Sequence, residues 1–410
     1  MTIVEFYDQA SIENIAGSLL CRPEQVILIG NKRKQLQRAT TRYRCVLERN
    51  GIKTEISYRS VNKNHLAQIV TVLEQIADSC EDCIFDLTGG DEMYLVAVGQ
   101  MLERYSGRIQ CHRFGFRSET LQDCDADGSV CRSESFDISV EDNVSIYAGE
   151  IVTDRNRESF TYPWRLDEEL ERDVDAMWEI CRRNVRLWNA HVSTLGTICE
   201  QLDRQDALSV SFDQSHAASL LSRRGDKYTF VASLMYYLQK NGLIQDLQIA
   251  DTVSFAFKNE EILRCLTVAG QILELVIAKT MRQITDRDGS RLYHDVKVGV
   301  VIDWDPVDEE EQRTINEIDV LAMKGCIPIF ISCKNGDFDA GELYKLSTVA
   351  DRFGGKYAKK VLISTSLDRL GEKADYLRAR MEDMGIRCVE NVDEMSGEEL
   401  TRVLRSLWCN

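Results

Sequence analysis

The chain has 410 residues, which is more than one hydrophobic core usually supports, so we expect two or three domains. With 44% apolar and 29% charged residues, it has the composition of a folded protein and not of a disordered chain. The net charge of −17 argues against a protein that coats nucleic acid nonspecifically, because phosphate contacts require clustered Lys and Arg, but it leaves room for an enzyme with a local basic groove.

No run of residues reaches the roughly 18 apolar positions that a membrane-spanning helix needs. The opening residues MTIVEFYDQ also lack the basic and apolar regions of an export signal. We therefore expect a cytoplasmic protein without a membrane partner, whose 14 cysteines stay reduced.

Residues 1–160 alternate short apolar strands with amphipathic helices, which is typical of an α/β domain with a parallel sheet. The predicted strands are TIVEFY, QVILIG, TEISYR, CIFDLT and RIQCHRF, and the predicted helices lie near 12–20, 34–50, 64–79 and 91–105. A hairpin of SFDISVED and VSIYAGEI is predicted to close the domain. Ligands of such sheets bind beyond the carboxyl ends of the strands, so the residues that follow each strand are candidate ligand contacts.

Residues 161–204 predict a helical linker, because apolar residues recur there at three- and four-residue steps. Residues 205–261 predict two helices, the second in YTFVASLMYYLQKNGLI, and a hairpin of LQIAD and VSFAFK, which is a winged-helix-like order.

Residues 262–410 predict a second α/β domain with a separate core. Its predicted elements are the helix EILRCLTVAGQILELVIAKTM, the strands VKVGVVIDW, INEIDVLA, IPIFISCK, KVLIST and RCVEN, and helices near 339–353 and 372–384.

Three basic clusters stand out against the acidic background of the chain. They are NKRKQLQRATTRYR at 31–44, SRRGDK at 222–227 and RFGGKYAKK at 352–360. For the first two, a solvated helix face explains the charges as well as a ligand contact does.

The string INEIDVLAMKGCIPIFISCK predicts two strands joined by a tight turn. Because side chains alternate along a strand, Glu317 and Asp319 share one face, and Ser332 and Lys334 share one face of the next strand. Acidic and basic groups can therefore meet across the hairpin. Carboxylates that hold Mg²⁺ or Mn²⁺ beside a Lys that positions water or phosphate suit metal-assisted phosphodiester cleavage.

A further carboxylate, Glu274, lies in the strongly apolar stretch GQILELVIA of the predicted helix. Burial of a charge in such a place is unfavourable without a partner. Glu274 therefore either points to solvent at the helix edge or reaches the metal, and the sequence leaves both options open.

The string CIFDLTGGDEMYLVAVGQ predicts a buried strand, a turn of Thr88, Gly89 and Gly90, and a helix. Such a turn lets backbone N–H groups approach a phosphate closely, and the helix N-terminus adds a favourable dipole. The GxGxxG spacing of a dinucleotide site is missing, which favours a phosphate-recognising ligand pocket over a hydrolase or NAD site.

The order of a helix with Glu, a strand, an EID strand, an SCK strand and a helix resembles the PD-(D/E)xK restriction-endonuclease-like superfamily. The resemblance implies that Glu274 is the acid of the first helix, Asp319 the metal-binding Asp and Lys334 the catalytic Lys. The acid that usually precedes this Lys by two positions is Ser332 here. We expect Glu317, on the same face as Asp319, to supply the missing metal ligand.

The strand-DLTGG-helix unit, the early loop with Gln9 and Ser11, and IGNKRK after the second strand resemble a CRISPR-associated Rossmann fold (CARF) domain. Together with the NEIDVLxxxGxxPxFISCK string, they make the whole chain similar to the CRISPR ancillary nucleases of type III systems. This resemblance implies a homodimer whose two CARF domains bind one cyclic tetra-adenylate. It also implies Mn²⁺- or Mg²⁺-dependent cleavage of single-stranded RNA, DNA or both, which the bound ligand switches on.

The resemblance places at the ligand the residues Gln9, Ser11, Asn31, Lys32, Thr88, Gly89 and Gly90. Where the family commonly has Thr-Lys after the two glycines, this chain has Asp91 and Glu92, so the contact at Asp91 is less defined.

Two other functions fit parts of the chain. A ligand-responsive transcription regulator would use a CARF-like domain to control a DNA-reading winged helix, but it leaves residues 262–410 unexplained and offers only Lys227 and Lys240 near the recognition helix. A CARF protein that degrades its own cyclic activator needs only positioned ribose hydroxyls and a few polar groups. The sequence decides neither the ring size of the activator nor the preference among RNA, single-stranded DNA and supercoiled DNA.

Overall fold

Three sheets organise the chain in a computed structural model that describes residues 1–105, 107–125, 128–201, 208–304 and 314–408. Seven strands form the N-terminal sheet, three form the middle sheet and six form the C-terminal sheet. Helices alternate with the strands of both outer sheets, so the predicted α/β class is confirmed. Within the described residues, no helix has the length and apolar character that crossing a bilayer requires.

The N-terminal sheet has a parallel core and an antiparallel edge. Its strands are β1 (Thr2–Tyr7), β2 (Gln25–Gly30), β3 (Glu55–Ser60), β4 (Cys83–Asp86), β5 (Ile109–Gly115), β6 (Thr120–Asp125) and β7 (Gly128–Ser133). Its helices are α1 (Ala16–Cys21), which follows a 3-10 turn at Ile12–Asn14, α2 (Arg33–Arg49), α3 (Leu66–Ser79) and α4 (Glu92–Arg104). The spatial order β3-β2-β1-β4-β5-β6-β7 changes direction at β1, so the loops after β1 and β4 diverge and leave a crevice between them.

The hairpin of this region lies earlier than predicted, because β6 pairs with β7 and the predicted hairpin of SFDISVED and VSIYAGEI does not form. Val140–Ile146 forms helix α5 instead, and Ser139 caps it by accepting a hydrogen bond from the Asp142 N–H at 3.0 Å. The next strand, β8 (Glu150–Ile151), pairs with the C-terminal sheet. The predicted hairpin is therefore wrong, and the chain enters the C-terminal sheet before residue 160.

The predicted helical linker consists of α6 (Glu168–Cys181) and α7 (Val185–Gln201). The next elements are β9 (Ser209–Asp213), α8 (Gln214–Arg224), α9 (Ala232–Lys240), β10 (Ile244–Ile249) and β11 (Thr252–Phe257). Two helices followed by a hairpin are the predicted winged-helix-like order, to which β9 adds a third strand beside β11.

The predicted opening helix of the C-terminal region is divided into α10 (Glu260–Thr267) and α11 (Gln271–Gln283). Gly270 between them has φ +94°, a conformation that favours Gly and interrupts the helix. The remaining elements are β12 (Asp295–Asp303), β13 (Ile315–Lys324), β14 (Ile327–Lys334), α12 (Ala340–Gly354), β15 (Lys359–Ser364), α13 (Glu372–Asp383), β16 (Ile386–Val389) and α14 (Gly397–Ser406). β12, β13 and β14 are antiparallel, whereas β14, β15 and β16 are parallel.

The two outer α/β layers share one apolar core, so the prediction of a separate C-terminal core is wrong. Ile12 and Leu36 of the N-terminal layer are buried in the same core as Phe330 and Phe353 of the C-terminal layer. Burial of apolar surface is the main favourable contribution to folding, and here it holds the two layers against each other.

Polar contacts of α5 reinforce this packing. Arg49 at the end of α2 pairs with Asp142 at 2.6 Å, and Asn143 Nδ2 donates a hydrogen bond to the Phe353 carbonyl at 2.7 Å. One short helix that the sequence did not predict therefore connects the N-terminal layer to α12.

We expect Phe353→Ala to lower the free energy of unfolding by about 3–5 kcal/mol, because the substitution leaves a cavity in the shared core. Tyr344→Ala, on the exposed side of the same helix, is the matched control and should change it by no more than about 0.5 kcal/mol. Urea unfolding of the full chain measures both values. Equal, small effects of the two substitutions would contradict a core shared through α12.

Candidate functional site

Asp319 is held in place by the neighbouring strand. The register of β13 and β14 brings it beside Ser332, whose Oγ donates to Asp319 Oδ2 at 3.2 Å. The Cys333 N–H donates to the same oxygen at 2.6 Å, and Lys334 Nζ lies 3.7 Å from it. All three contacts converge on Oδ2, which leaves the lone pairs of Oδ1 to a ligand.

Lys334 lies between two carboxylates. In addition to Asp319, it contacts Glu342 of the first turn of α12, whose Oε2 is 2.6 Å from Lys334 Nζ. Burial alone would lower the pKa of Lys334, but Asp319 and Glu342 outweigh this effect and raise the pKa above its usual value. Lys334 is therefore a cation at neutral pH and can bind a phosphate oxygen.

Glu317 lies at the solvent-open rim of this cleft. On the adjacent strand β12, Gly299 has no side chain, and a Cβ there would lie 3.3 Å from Glu317 Oε1. Two effects raise the pKa of Glu317: mainly its partial burial, and to a lesser extent the negative charge of Asp319. The predicted pairing of Glu317 with Asp319 on one face of β13 therefore exists in the structure.

Glu274 approaches the same carboxylates from α11. Its Oε2 accepts a hydrogen bond from Gln271 Nε2 at 2.9 Å. Burial, followed by the charges of Asp319 and Glu317, raises the pKa of Glu274 well above its usual value. Glu274 is therefore half-buried and senses the charges of Asp319 and Glu317, but within the described residues these three carboxylates do not come together as the metal site that was predicted for them.

Two charged residues of the cleft were not predicted. Glu342 and Lys345 of α12 line it together with Glu317, Asp319 and Ser332. In the sequence they look like ordinary polar positions of an amphipathic helix, and only the packing of α12 against β14 turns them toward the cleft.

The donor chemistry of the cleft fits a hard divalent cation. Within the described residues, no group of three His, Cys, Asp or Glu side chains is close enough to form a complete metal site. Mg²⁺ in nucleotide-processing sites is usually held by one or two carboxylates, waters and substrate phosphates, and Asp319 with Glu317 can supply such a pair. Burial, followed by the charges of the neighbouring carboxylates, raises the pKa values of Glu317 and Glu274, and a cation would offset both effects.

A second site lies at the carboxyl ends of the N-terminal strands. Two adjoining cavities of about 460 and 500 Å³ share the wall formed by Asp8, Gln9, Ala10 and Arg352. The first cavity is lined by the cations Lys32, Arg38, Arg42, Lys63 and Arg352, against the acids Asp8 and Asp91. In a chain of net charge −17, this local excess of positive charge favours an anionic ligand.

The structure brings together every predicted ligand residue at these cavities. The first cavity is lined by Gln9, Asn31, Lys32 and Asp91, and the second by Gln9, Ser11, Thr88, Gly89 and Gly90. Asp91 already has two partners, since it caps α4 through the Met93 N–H and pairs with Lys63 at 2.8 Å. Its role in the pocket is therefore to hold Lys63 and the helix start.

The Thr88 turn is anchored to the buried carboxylate of Asp86. Asp86 Oδ1 accepts hydrogen bonds from the Thr88 N–H, at 2.8 Å, and from the Thr88 hydroxyl, while Oδ2 accepts one from the Gly17 N–H at 2.8 Å. His112 Nε2 lies 3.6 Å from Oδ1. Burial would lower the pKa of His112, but Asp86 and Cys21 raise that pKa to about 10.

Glu5 completes this buried network. Burial and, to a lesser extent, the charge of Asp86 raise the pKa of Glu5 well above its usual value, which favours its neutral form. Burial also disfavours the charged form of Asp86, but the neighbouring His112, Thr88 and Glu5 outweigh it and lower the pKa of Asp86. The anion that anchors the turn is therefore stable at neutral pH.

The two glycines of the turn are required by its geometry. Gly90 has φ +95°, and a Cβ there would collide with Phe6 Cβ. A Cβ on Gly89 would lie 2.9 Å from Asn14 Oδ1. Both positions therefore exclude larger residues, and the backbone of the turn stays open to the cavity.

Several pocket residues were not assigned from the sequence. They are Arg38, Arg42, Lys63, Tyr94, Arg352, Lys356 and Tyr357. The basic clusters at 31–44 and 352–360 were the available signals, but charge clusters alone do not distinguish a pocket wall from a solvated helix.

Two solved structures match the chain along its whole length. Protein VC1899 from Vibrio cholerae is 18% identical, with a TM-score of 0.73, and the match covers 100% of this chain and 97% of that chain. Can2 from Sulfobacillus thermosulfidooxidans, solved in complex with cyclic tetra-adenylate (cA4), is 16% identical, with a TM-score of 0.66, and the match covers 100% and 99%. At these identities the likeness establishes the fold, and it confirms the fold expected from the sequence. No protein-family model and no curated protein matches the chain.

We expect the buried network to make stability depend on pH through His112. Its pKa is about 10 in the folded chain and about 6.5 in an unfolded one, so its contribution is complete below pH 6.5 and is lost as the pH rises through 10. Urea unfolding at pH 6, 8 and 10 should show that the stability advantage of the native chain over His112→Gln shrinks with rising pH.

The exposed His216→Gln is the control for this measurement, and its stability should run parallel to that of the native chain. A difference between the native chain and His112→Gln that stays constant from pH 6 to pH 10 would show that His112 is not a charged partner of Asp86.

Proposed function

We propose that this protein is a metal-dependent endonuclease of type III CRISPR antiviral defence that a cyclic oligoadenylate, in the first instance cyclic tetra-adenylate, switches on. It acts as a cytoplasmic homodimer on RNA, DNA or both. The observation that carries the proposal is the contact of Lys334 with Asp319, beside Glu317 and Glu274, in a chain that shares the fold of cA4-bound Can2. The cation-lined pocket supports the ligand half of the proposal.

The roles of the cleft residues follow from their contacts. Asp319 and Glu317 hold the metal through carboxylate oxygens, and Glu274 adds negative charge behind them. When bound, Mn²⁺ or Mg²⁺ supplies charge neutralisation and an activated water. Lys334 orients the water or the scissile phosphate by a charge-assisted hydrogen bond. Ser332 fixes the orientation of Asp319 and does not replace the missing acid.

The pocket suits a ligand with several phosphates. Arg42 Nε is buried and has no hydrogen-bond partner among the described residues, so it can donate to a ligand phosphate. The turn from Thr88 to Gly90 offers backbone N–H groups at the start of α4. A two-fold dimer presents the same loops to each half of a symmetric ring nucleotide.

We expect Lys334→Ala to lower cleavage on the order of 100-fold or more, because it removes a cation that acts on the developing charge of the transition state. The full chain is incubated with labelled single-stranded RNA, single-stranded DNA and supercoiled plasmid, with and without cyclic tetra-adenylate, in Mn²⁺ or EDTA. Lys240→Ala, at the exposed end of α9, is the matched control and should cleave like the native chain. Cleavage by the native chain that requires neither the ligand nor a metal would contradict the proposal.

We expect Glu317→Gln to need roughly tenfold more Mn²⁺ for half-maximal cleavage, because the loss of one carboxylate oxygen weakens the metal site. Glu398→Gln, an exposed position in the first turn of α14, is the control and should leave the Mn²⁺ titration unchanged. If Glu317→Gln titrates like the control while Asp319→Asn is inactive, Glu317 is not the substitute metal ligand.

A further inference from the structure

One helix lines both sites. Glu342 and Lys345 in the first half of α12 border the catalytic cleft, whereas Asp351 and Arg352 in its last turn border the nucleotide pocket. The helix has 15 residues and is therefore about 22 Å long. Arg352 belongs to both cavities of the pocket.

The chain beyond α12 also faces the pocket. Gly355 has φ +55° and turns the backbone after the helix, so that Lys356 and Tyr357 meet the loop after β1. Both residues contact Oε1 of Glu13 in that loop. Lys356 Nζ lies 2.6 Å from this oxygen, and the Tyr357 hydroxyl donates a hydrogen bond to it at 2.9 Å. Tyr357 also packs against Phe116, with ring centroids 4.4 Å apart and the rings tilted by 33°.

The charge arrangement at this wall is unusual for an anion pocket. Asp351 forms an ion pair with Lys360 at 2.8 Å. The ion-pair partner of Lys356 at the cavity wall is therefore Glu13. The side chain of Glu13 is 20% exposed, whereas that of Lys356 is 67% exposed and can move. A ligand phosphate that enters the cavity is repelled by Glu13 and attracted by Lys356.

We propose that Lys356 and Arg352 of the C-terminal layer bind phosphates of the activating nucleotide directly, with Lys356 exchanging the carboxylate of Glu13 for a phosphate. The inference rests on the proposed function, since it names how the activator is read. The N-terminal sheet supplies the floor of the pocket, and the end of α12 supplies one wall.

This arrangement gives the ligand a direct route to the catalytic cleft. A bound ligand activates only if it binds the active arrangement more tightly than the idle one. A phosphate that attracts Lys356 and Arg352 into the pocket displaces α12. At the other end of this helix, the Glu342 carboxylate lies 2.6 Å from Lys334 Nζ. The Glu342 contact stabilises the idle arrangement, and the shift of α12 releases Lys334 to the substrate.

The first test measures binding alone. Isothermal titration of the full chain with cyclic tetra-adenylate should show that Lys356→Ala weakens binding roughly tenfold or more, because a charge-assisted hydrogen bond is lost. Lys240→Ala is the control and should bind like the native chain. Lys356→Ala that binds like Lys240→Ala, in a chain that is still activated, would overturn the inference and leave the proposed function standing. A native chain that neither binds nor responds to the ligand would overturn both.

The second test uses the reciprocity of coupled sites. Glu342 lies ten residues before Arg352, about 15 Å along the helix, so Glu342→Gln touches no ligand. Because the substitution weakens the idle arrangement, it should tighten cyclic tetra-adenylate binding by roughly fivefold, whereas Glu398→Gln should not. Equal affinities of these two variants would overturn the role of α12 as the connection.

Discussion

The burial of one face of α12 is the constraint on which both sites depend. Leu343, Val349 and Phe353 pack into a core that the N-terminal and C-terminal layers share. Because interiors are close-packed, a helix held in this way moves as a unit and does not bend around a ligand. Its first turn therefore lies beside β14, and its last turn beside the loop after β1, so that a shift of the helix reaches both sites.

The two sites are electrostatic opposites within one acidic chain. In the cleft, burial and then the charges of neighbouring carboxylates raise the pKa of Glu274, and Lys334 lies between Asp319 and Glu342, which raise its pKa against the effect of burial. The pocket gathers cations, which prepares it for an anion. Beneath the pocket, burial would raise the pKa of Asp86, but His112, Thr88 and Glu5 lower it, and Asp86 accepts the hydrogen bond that orients the backbone of the Thr88 turn. In each site, charge of one sign is concentrated, which favours a ligand of the opposite sign.

Much of the fold was predictable because its local signals agree with its tertiary environment. Apolar runs such as QVILIG became buried parallel strands, and alternation placed Glu317 and Asp319 on one face. The predictions that were wrong concern segments whose local sequence pattern is compatible with both a strand and a helix. SFDISVED has the alternation of a strand, but Ser139 and the acids that follow it cap a helix, and α5 is stabilised by its contacts with Arg49 and Phe353.

The sequence by itself determined the α/β class, the strand ends that carry Gln9, Asn31 and Thr88, and the pairing of Asp319 with Lys334, because each follows from short-range periodicity and turn chemistry. Only the tertiary structure decided the rest. It decided that the half-buried Glu274 senses the charges of Asp319 and Glu317, that Glu342 borders the cleft, and that the end of α12 forms a wall of the pocket. These relations connect elements far apart in the chain, and they depend on how helices pack across sheets, which no local pattern encodes.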